Sequence, residues 1–565
     1  MGIEEPSFLD ALFAPAHAFA SPLEFRAALT AHRLVVGVVG FCALVALQIG
    51  RGRFAAALSL CATLYAALAS AAYAGPSRVG AAVAIATAAG LATCLAAMTR
   101  DGMARRIALA GLVVVGCLAG TNFLNFHDWP LGGRAARDGE AFGPIHYNDQ
   151  FHYYLAAKYF KELSYDGIYA CTVQAAGDQP SNLARPARDL RTNSIVTVGE
   201  LARSWPCRER FSPERWRAFT KDAAFFRGAD EHARLRYLTD FGYNATPLQT
   251  AMNALIVART EAGTATLGML ALIDVALFAL CIVLIARTFG PRAGALAALA
   301  WGVSVLWVYD HVGLPGSFGR LWWVAAVVAA TCLVHRERPL WAGAALGSAV
   351  LLRVLPGAFL VGPFAMACWG LVRARRWDPF LFKLLGGAAL AGALLFLATV
   401  ATVGFEPHVA FLANAAKHAS GRLSNFIGLP ALTAYSYGPV WAALGVGLIV
   451  LAALLGRYAD ATSRFVLMGL IALFGLTSTT NYDYVVLVLL APLAVTRPGG
   501  SAVADIAVFG AGILAGNTAF MAAPGDERLV YFVDGCIVLL LLVWFSARFV
   551  MAGMSSGRPG RIERR

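Results

Sequence analysis

Long apolar runs, each closed by a short basic link, fill almost all of this chain outside residues 124–261. A run of about 17–25 apolar residues is long enough to cross a bilayer as a helix, and in hydrocarbon a helix satisfies its own backbone. Composition agrees, with 59% hydrophobic and 14% charged residues, where a globular domain carries about 25% charged. The runs lie near 34–50, 54–74, 79–98, 107–123, 262–286, 293–309, 321–334, 339–352, 355–372, 382–403, 431–456, 465–478, 483–496, 502–522 and 529–550. The expected fold is therefore an all-α polytopic membrane protein of about 15 transmembrane helices with one large extracytoplasmic loop domain. The runs 339–352 and 483–496 are short for a straight span.

The same pattern divides the chain. Residues 1–33 hold Phe8, Leu12, Phe13, Phe19, Leu23 and Phe25, which reads as an interfacial N-terminal segment with no cleavable signal peptide. Then come an N-terminal transmembrane bundle (34–106), one further helix (107–123), the polar loop domain (124–261), a transmembrane core (262–550) and a basic tail (551–565). Links such as Arg100 to Arg106 and Arg373 to Arg376 gather arginines on alternate sides. The positive-inside rule then sets the N-terminus and the large loop outside and the C-terminus inside, in a bacterial inner (cytoplasmic) membrane. The net charge of +13 is spent on these links, so membrane lipid headgroups explain it and nucleic acid does not. Of the ten cysteines only Cys171 and Cys207 lie in the loop. A disulfide between them and two separate thiols both stay open, and no Cys/His zinc spacing appears.

The loop carries the candidate chemistry. It opens with Phe126-His127-Asp128-Trp129-Pro130 and reaches His146-Tyr147-Asn148-Asp149-Gln150. Phe151, Tyr154, Leu155, Lys158, Tyr159 and Leu163 then follow a helical period, expected as an amphipathic helix at the membrane surface. Asp149 at the start of that run suits a helix cap. The helix N-terminus also favours its ionised form, the state required of a general base.

An apolar helix, a large outward loop whose early acid precedes a helix, then many more spans: this resembles the GT-C superfamily of membrane glycosyltransferases. The resemblance implies a polyprenyl-phosphate-linked sugar donor, a glycan, lipid or protein acceptor, and Asp149 as the catalytic carboxylate, with Asp128 and Asp166 as rivals. It makes the 107–123 run the first core helix. Asp310 and His311, ending a run at the outer surface, would supply a second acid or ligands for a divalent cation (Mg or Mn). Arg353 would sit near the lipid phosphate, as would His418 and Arg422 in the 404–430 segment. His152, Tyr153, Asn414 and Asn425 would bind sugar or acceptor, amides and imidazoles being suited to sugar hydroxyls. Phe411, Asn414 and His418 share one helical face, and Thr477 to Tyr484 would line the acceptor side. No Gly-rich phosphate loop of known spacing points to a nucleotide donor.

Two other classes stand beside this one. Asp274, Asp505 and Asp534 lie within apolar runs, and carboxylates at membrane depth mark proton or substrate paths, as in a proton-coupled transporter or flippase. No transporter-like internal repeat is visible. The third class is a non-catalytic membrane scaffold.

Overall fold

The computed structural model describes residues 22–73, 92, 98, 102–126, 145–177, 183–229, 238–304, 316–420, 426–432, 438–477, 479–496, 500–522 and 527–555. The N-terminal run becomes α1 (Pro22–Gln48), so Leu23 and Phe25 belong to the first spanning helix itself. It is followed by α2 (Gly52–Tyr73) and α3 (Met103–Phe126). After the loop domain come α8 (Thr264–Phe289), α9 (Pro291–Val303), α10 (Trp322–His335), α11 (Pro339–Leu352), α12 (Ala358–Ala374) and α13 (Pro379–Val403). The rest of the core is α14 (Glu406–Ser420), α15 (Pro439–Tyr458), α16 (Ala461–Leu476), α17 (Gly500–Ala522) and α18 (Glu527–Ser555). The chain is a membrane-embedded, all-α protein. Among the described residues seven helices are long and apolar enough to cross a bilayer, and five shorter apolar ones pack beside them.

Prolines set many of the starts. α9, α11, α13 and α15 each carry Pro in the first turn, where its missing N–H costs nothing and its φ is already helical. α13 and α16 are capped by Asp378 and Asp460, which accept the first free backbone N–H groups. The first helices pack on later ones, α3 on α9 and α1 on α17. α11 and α13 run against each other most closely, because Gly343 leaves no side chain where an added Cβ would strike the Leu384 carbonyl. The 483–496 run departs from expectation. It forms a 3-10 segment (Asn481–Leu489) and one and a half α turns (Leu490–Val495), buried almost throughout. That is an internal plug between helices and too short to span.

The loop domain has a core of its own. It contains α4 (Tyr147–Gln150), a π-helical turn (Phe151–Ala156), α5 (Ile168–Ala176), strands β1 (Pro186–Asp189) and β2 (Ser194–Thr197), α6 (Pro213–Ala229) and α7 (Pro247–Val257). β1 and β2 pair antiparallel, Asp189 opposite Ser194. Cys171 and Cys207 form a disulfide across the domain. Tyr154, Tyr159, Tyr169, Phe219, Phe226 and Tyr243 fill the interior. Leu267 and Leu270 of α8 and Phe318 belong to the same cluster, so the domain is seated on the membrane core.

One expectation is corrected here. Phe151 to Ala156 are all buried, and even Lys158 is enclosed, pairing with Asp222 at 2.7 Å. The period was real, but it marks a strut through the domain interior and not a helix on the membrane surface. A π turn in this position widens the helix, a deviation found mostly at functional sites.

Candidate functional site

The site is built around a turn of five residues, Gly316-Ser317-Phe318-Gly319-Arg320, just before α10. Gly316, Phe318 and Gly319 all have positive φ (+91°, +53° and +94°). For phenylalanine that region is rare and strained, and it persists because every part of the turn is tied down. The Gly316 carbonyl accepts from the His146 N–H at 3.0 Å and from Gln150 Nε2 at 2.8 Å. The Ser317 and Phe318 N–H groups donate to Asp274 Oδ2 at 2.9 and 3.1 Å. Gln249 of α7 donates to the Gly319 carbonyl. Arg320 then reaches Asp149 Oδ1 at 2.8 Å through Nη2, with its guanidinium over the Tyr153 ring at 5.6 Å.

Asp149 is therefore a buried carboxylate held from one side. Oδ1 is fixed by Arg320, while Oδ2 has no hydrogen-bond partner and lies 3.6 Å from His146 Nδ1. It is not the helix cap. His146 is: its ring Nδ1 accepts the Asp149 N–H at 3.1 Å, which puts the proton of the neutral ring on Nε2. Burial holds the His146 imidazole below its ordinary range, against the opposing pull of Asp149. The carboxylate of Asp149, at the third helical position, is thus left out of capping.

The neighbours are fixed with equal care. His152 Nδ1 donates to the Asn148 carbonyl at 2.8 Å, and Nε2 accepts from the Tyr169 hydroxyl at 2.9 Å. Both ring nitrogens are thereby used inside the fold, so His152 positions the start of α4 and does not reach outward for a sugar. Burial lowers its basicity and raises that of Tyr169 well above the usual phenol range. The Tyr153 hydroxyl donates to Asn244 at 3.4 Å.

Arg353 follows α11 and forms an ion pair with Asp483 at 3.0 Å, its guanidinium 5.7 Å from the centre of the Trp323 ring. Asp483 is itself bound by the Thr480 N–H and hydroxyl, each at 2.9 Å. Arg320 and Arg353 thus each face a buried carboxylate. The Arg353 side chain is 21% exposed against 0% for Asp483.

Other expected residues fall elsewhere. Asn414, on α14, donates to the Tyr243 carbonyl at 3.1 Å, and Phe411 lies against Tyr165. That face of α14 docks onto the loop domain. His418 lies on the last turn of α14. Asp166 is in a partly exposed pair with Lys417 at 3.7 Å. Asp505 meets Arg548 and Trp544 between α17 and α18. Asp534 is fully buried in α18 with neither carboxylate oxygen hydrogen-bonded. Asp128, Asp310, His311, Arg422 and Asn425 lie outside the described residues. A recess lined by Val334, Met366, Asp378, Leu384 and Arg464 lies at the other end of α10 and includes none of the candidates.

Among the described residues no three His, Cys, Asp or Glu side chains gather as a metal would require. Within them, Arg320 and the His146 ring stand next to Asp149, and Asp310 and His311, the cation ligands that the resemblance implies, lie outside them. Arg320 and Gln150 were not singled out from sequence. The signal present was two glycines and an arginine in the link before an apolar run, a turn signature.

No family model, curated protein or solved structure matches the chain.

Proposed function

We propose that this chain is an integral-membrane glycosyltransferase of the GT-C kind, moving a sugar from a polyprenyl-phosphate carrier to a hydroxyl of an envelope acceptor at the extracytoplasmic face. The observation that carries the reading is the one-sided hold on Asp149: Oδ1 is pinned by Arg320, and Oδ2 is buried and without a hydrogen-bond partner. It lies where the loop domain meets the spans, a position suited to a substrate carried on a lipid.

In the reaction Oδ2 takes the proton of the acceptor hydroxyl. The acceptor oxygen bonds to the anomeric carbon as the bond from that carbon to the phosphate oxygen breaks, and the electron pair leaves with polyprenyl phosphate. Arg320 keeps the carboxylate aimed, a positioning role. Arg353, a partly exposed cation, offsets the charge that grows on the leaving phosphate. The Cys171–Cys207 disulfide supports an oxidising compartment for the loop, as does the arginine bias of the links.

The test is release of polyprenyl phosphate from polyprenyl-phosphate-linked sugars by membranes overproducing the chain, with an envelope fraction as acceptor. Release no faster than in membranes lacking it would end the proposal. Asp534, buried with both oxygens lacking a partner, favours proton-coupled transport as a second reading. Proton-driven accumulation of a solute in vesicles, with no turnover, would favour that instead.

A further inference from the structure

α14 carries two rows of side chains on opposite sides, and only one row is covered by protein. Phe411, Asn414 and Lys417 face the loop domain. The Phe411 ring lies 6.2 Å from that of Tyr165, the Asn414 amide donates to the Tyr243 carbonyl at 3.1 Å, and Lys417 donates to the Leu190 carbonyl at 3.1 Å. Phe405 at the helix entry, then Val409 and Leu412, make the other row, and they are 60%, 53% and 67% exposed. Ala416 continues the row and is exposed as well. Steps of three and four residues keep these positions on one helical face. Large apolar side chains left open side by side mark an interaction surface, where single scattered ones do not.

The neighbouring helix shows what covers that row. α13 is long and apolar enough to cross the bilayer, and its own outer row, Leu390, Leu394 and Leu397, is exposed in the same way. On a spanning helix such a row meets lipid. Ala401, also exposed, carries the row up to Phe405. Gly404 turns the chain there with φ +88°, a conformation glycine takes without strain. α14 then runs across the end of α13 and not on beyond it. The His408 ring packs edge-on against Phe396 at 4.7 Å, whereas one straight helix would hold the two residues about 18 Å apart.

We propose that α14 lies in the plane of the membrane surface, with Phe405, Val409 and Leu412 sunk among the acyl chains of the leaflet on the loop domain's side. That leaflet is the partner on which the loop domain is seated. None of the residues in the row is charged, so it holds lipid by apolar burial and not by headgroup charge. The seat bears on the candidate site. Tyr243, whose carbonyl Asn414 holds, packs edge-on against Tyr153 at 5.9 Å, and Tyr153 is the ring that the Arg320 guanidinium faces. This inference stands independently of sugar transfer.

The experiment puts the photoreactive residue p-benzoylphenylalanine in place of Leu412, Val409 or Leu394, one at a time, in the full chain. Each variant is irradiated in nanodiscs of phosphatidylethanolamine, with and without phosphatidylglycerol, and weighed by mass spectrometry. Leu394, on the spanning helix, gives the yield of a lipid-facing position. The expected result is a phospholipid adduct at Leu412 and Val409 in yield comparable to Leu394, unchanged by phosphatidylglycerol. The inference is overturned if Leu394 captures lipid while the α14 positions capture none, if they capture a second protein chain instead, or if capture requires the anionic lipid. Hydroxyl-radical footprinting reads the same face on the unaltered chain, should the variants fail to fold. Phe405 should be protected in nanodiscs while Ile195 of β2, 53% exposed on the loop domain, is oxidised. Oxidation of Phe405 as extensive as that of Ile195 would place the row in water and overturn the inference.

Discussion

Asp149 and Arg320 are both removed from water, and their pairing is what makes either tolerable there. Taking away one partner of a buried pair strands the other charge and costs about 3–5 kcal/mol. Arg320→Met should therefore lower thermal stability by an amount of that order in detergent-solubilised protein, while Arg320→Lys, which keeps the charge, should lose less. Equal losses would mean that packing, not pairing, holds the turn. His152 gives a second residue-scale outcome. Burial places its folded-state pKa below the ordinary 6.5, opposed by Asp240 and Asp149. The unfolded chain then binds the extra proton more readily. The contribution is complete above about pH 6.5 and declines as pH falls toward the folded-state value. Melting temperature followed from pH 8 to pH 5 should fall on the acid side, less steeply in His152→Gln, which cannot titrate; identical slopes would remove His152 as the cause. Asp149 was legible in the sequence from its place in the one polar interruption. Arg320 and Gln150 were not, because the contacts that define them link segments far apart in the chain. Gln150, for example, bonds the Gly316 carbonyl across a sequence separation of 166.

At the scale of elements, apolar runs and their links anticipated a helical membrane protein, since length and composition are set locally. Of about 15 expected spans, however, seven helices among the described residues are long and apolar enough to cross. What local pattern did not reveal was burial. The periodic run after Asp149 has the same spacing whether its polar face meets water or, as with Lys158 and Asp222, a buried partner. The 3-10 plug at Asn481–Leu489 has the apolar content of a span without its length. Helix contact in the core depends on small residues that let backbones approach. Gly343→Ala would set a methyl against the Leu384 carbonyl of α13, and overpacking of this kind costs about 1–3 kcal/mol. A lowered melting temperature with unchanged helix content is the expected outcome; an unchanged melting temperature would show that α11 and α13 slide apart freely.

Across the whole molecule, the loop domain and the spans share one seam. Leu267, Leu270 and Phe318 pack into the loop domain's core while Asp274 of the same helix anchors the turn that carries Arg320. A carboxylate at this seam can meet a lipid-borne substrate only if the loop faces the compartment where that substrate is presented. Arg217, whose side chain is 76% exposed on α6, offers a reporter: Arg217→Cys should react with a membrane-impermeant thiol reagent in intact cells once the outer envelope is permeabilised. Labelling only after lysis would put the loop inside. The most direct measurement of all compares Asp149→Asn with the unaltered chain for sugar transfer from a polyprenyl-phosphate carrier, per mole of folded protein in nanodiscs. The amide keeps the shape and an oxygen for Arg320 but is not a base, so a rate lower by about 10²–10⁴-fold with undiminished folded protein is expected. Transfer at the same rate in both would contradict a catalytic Asp149.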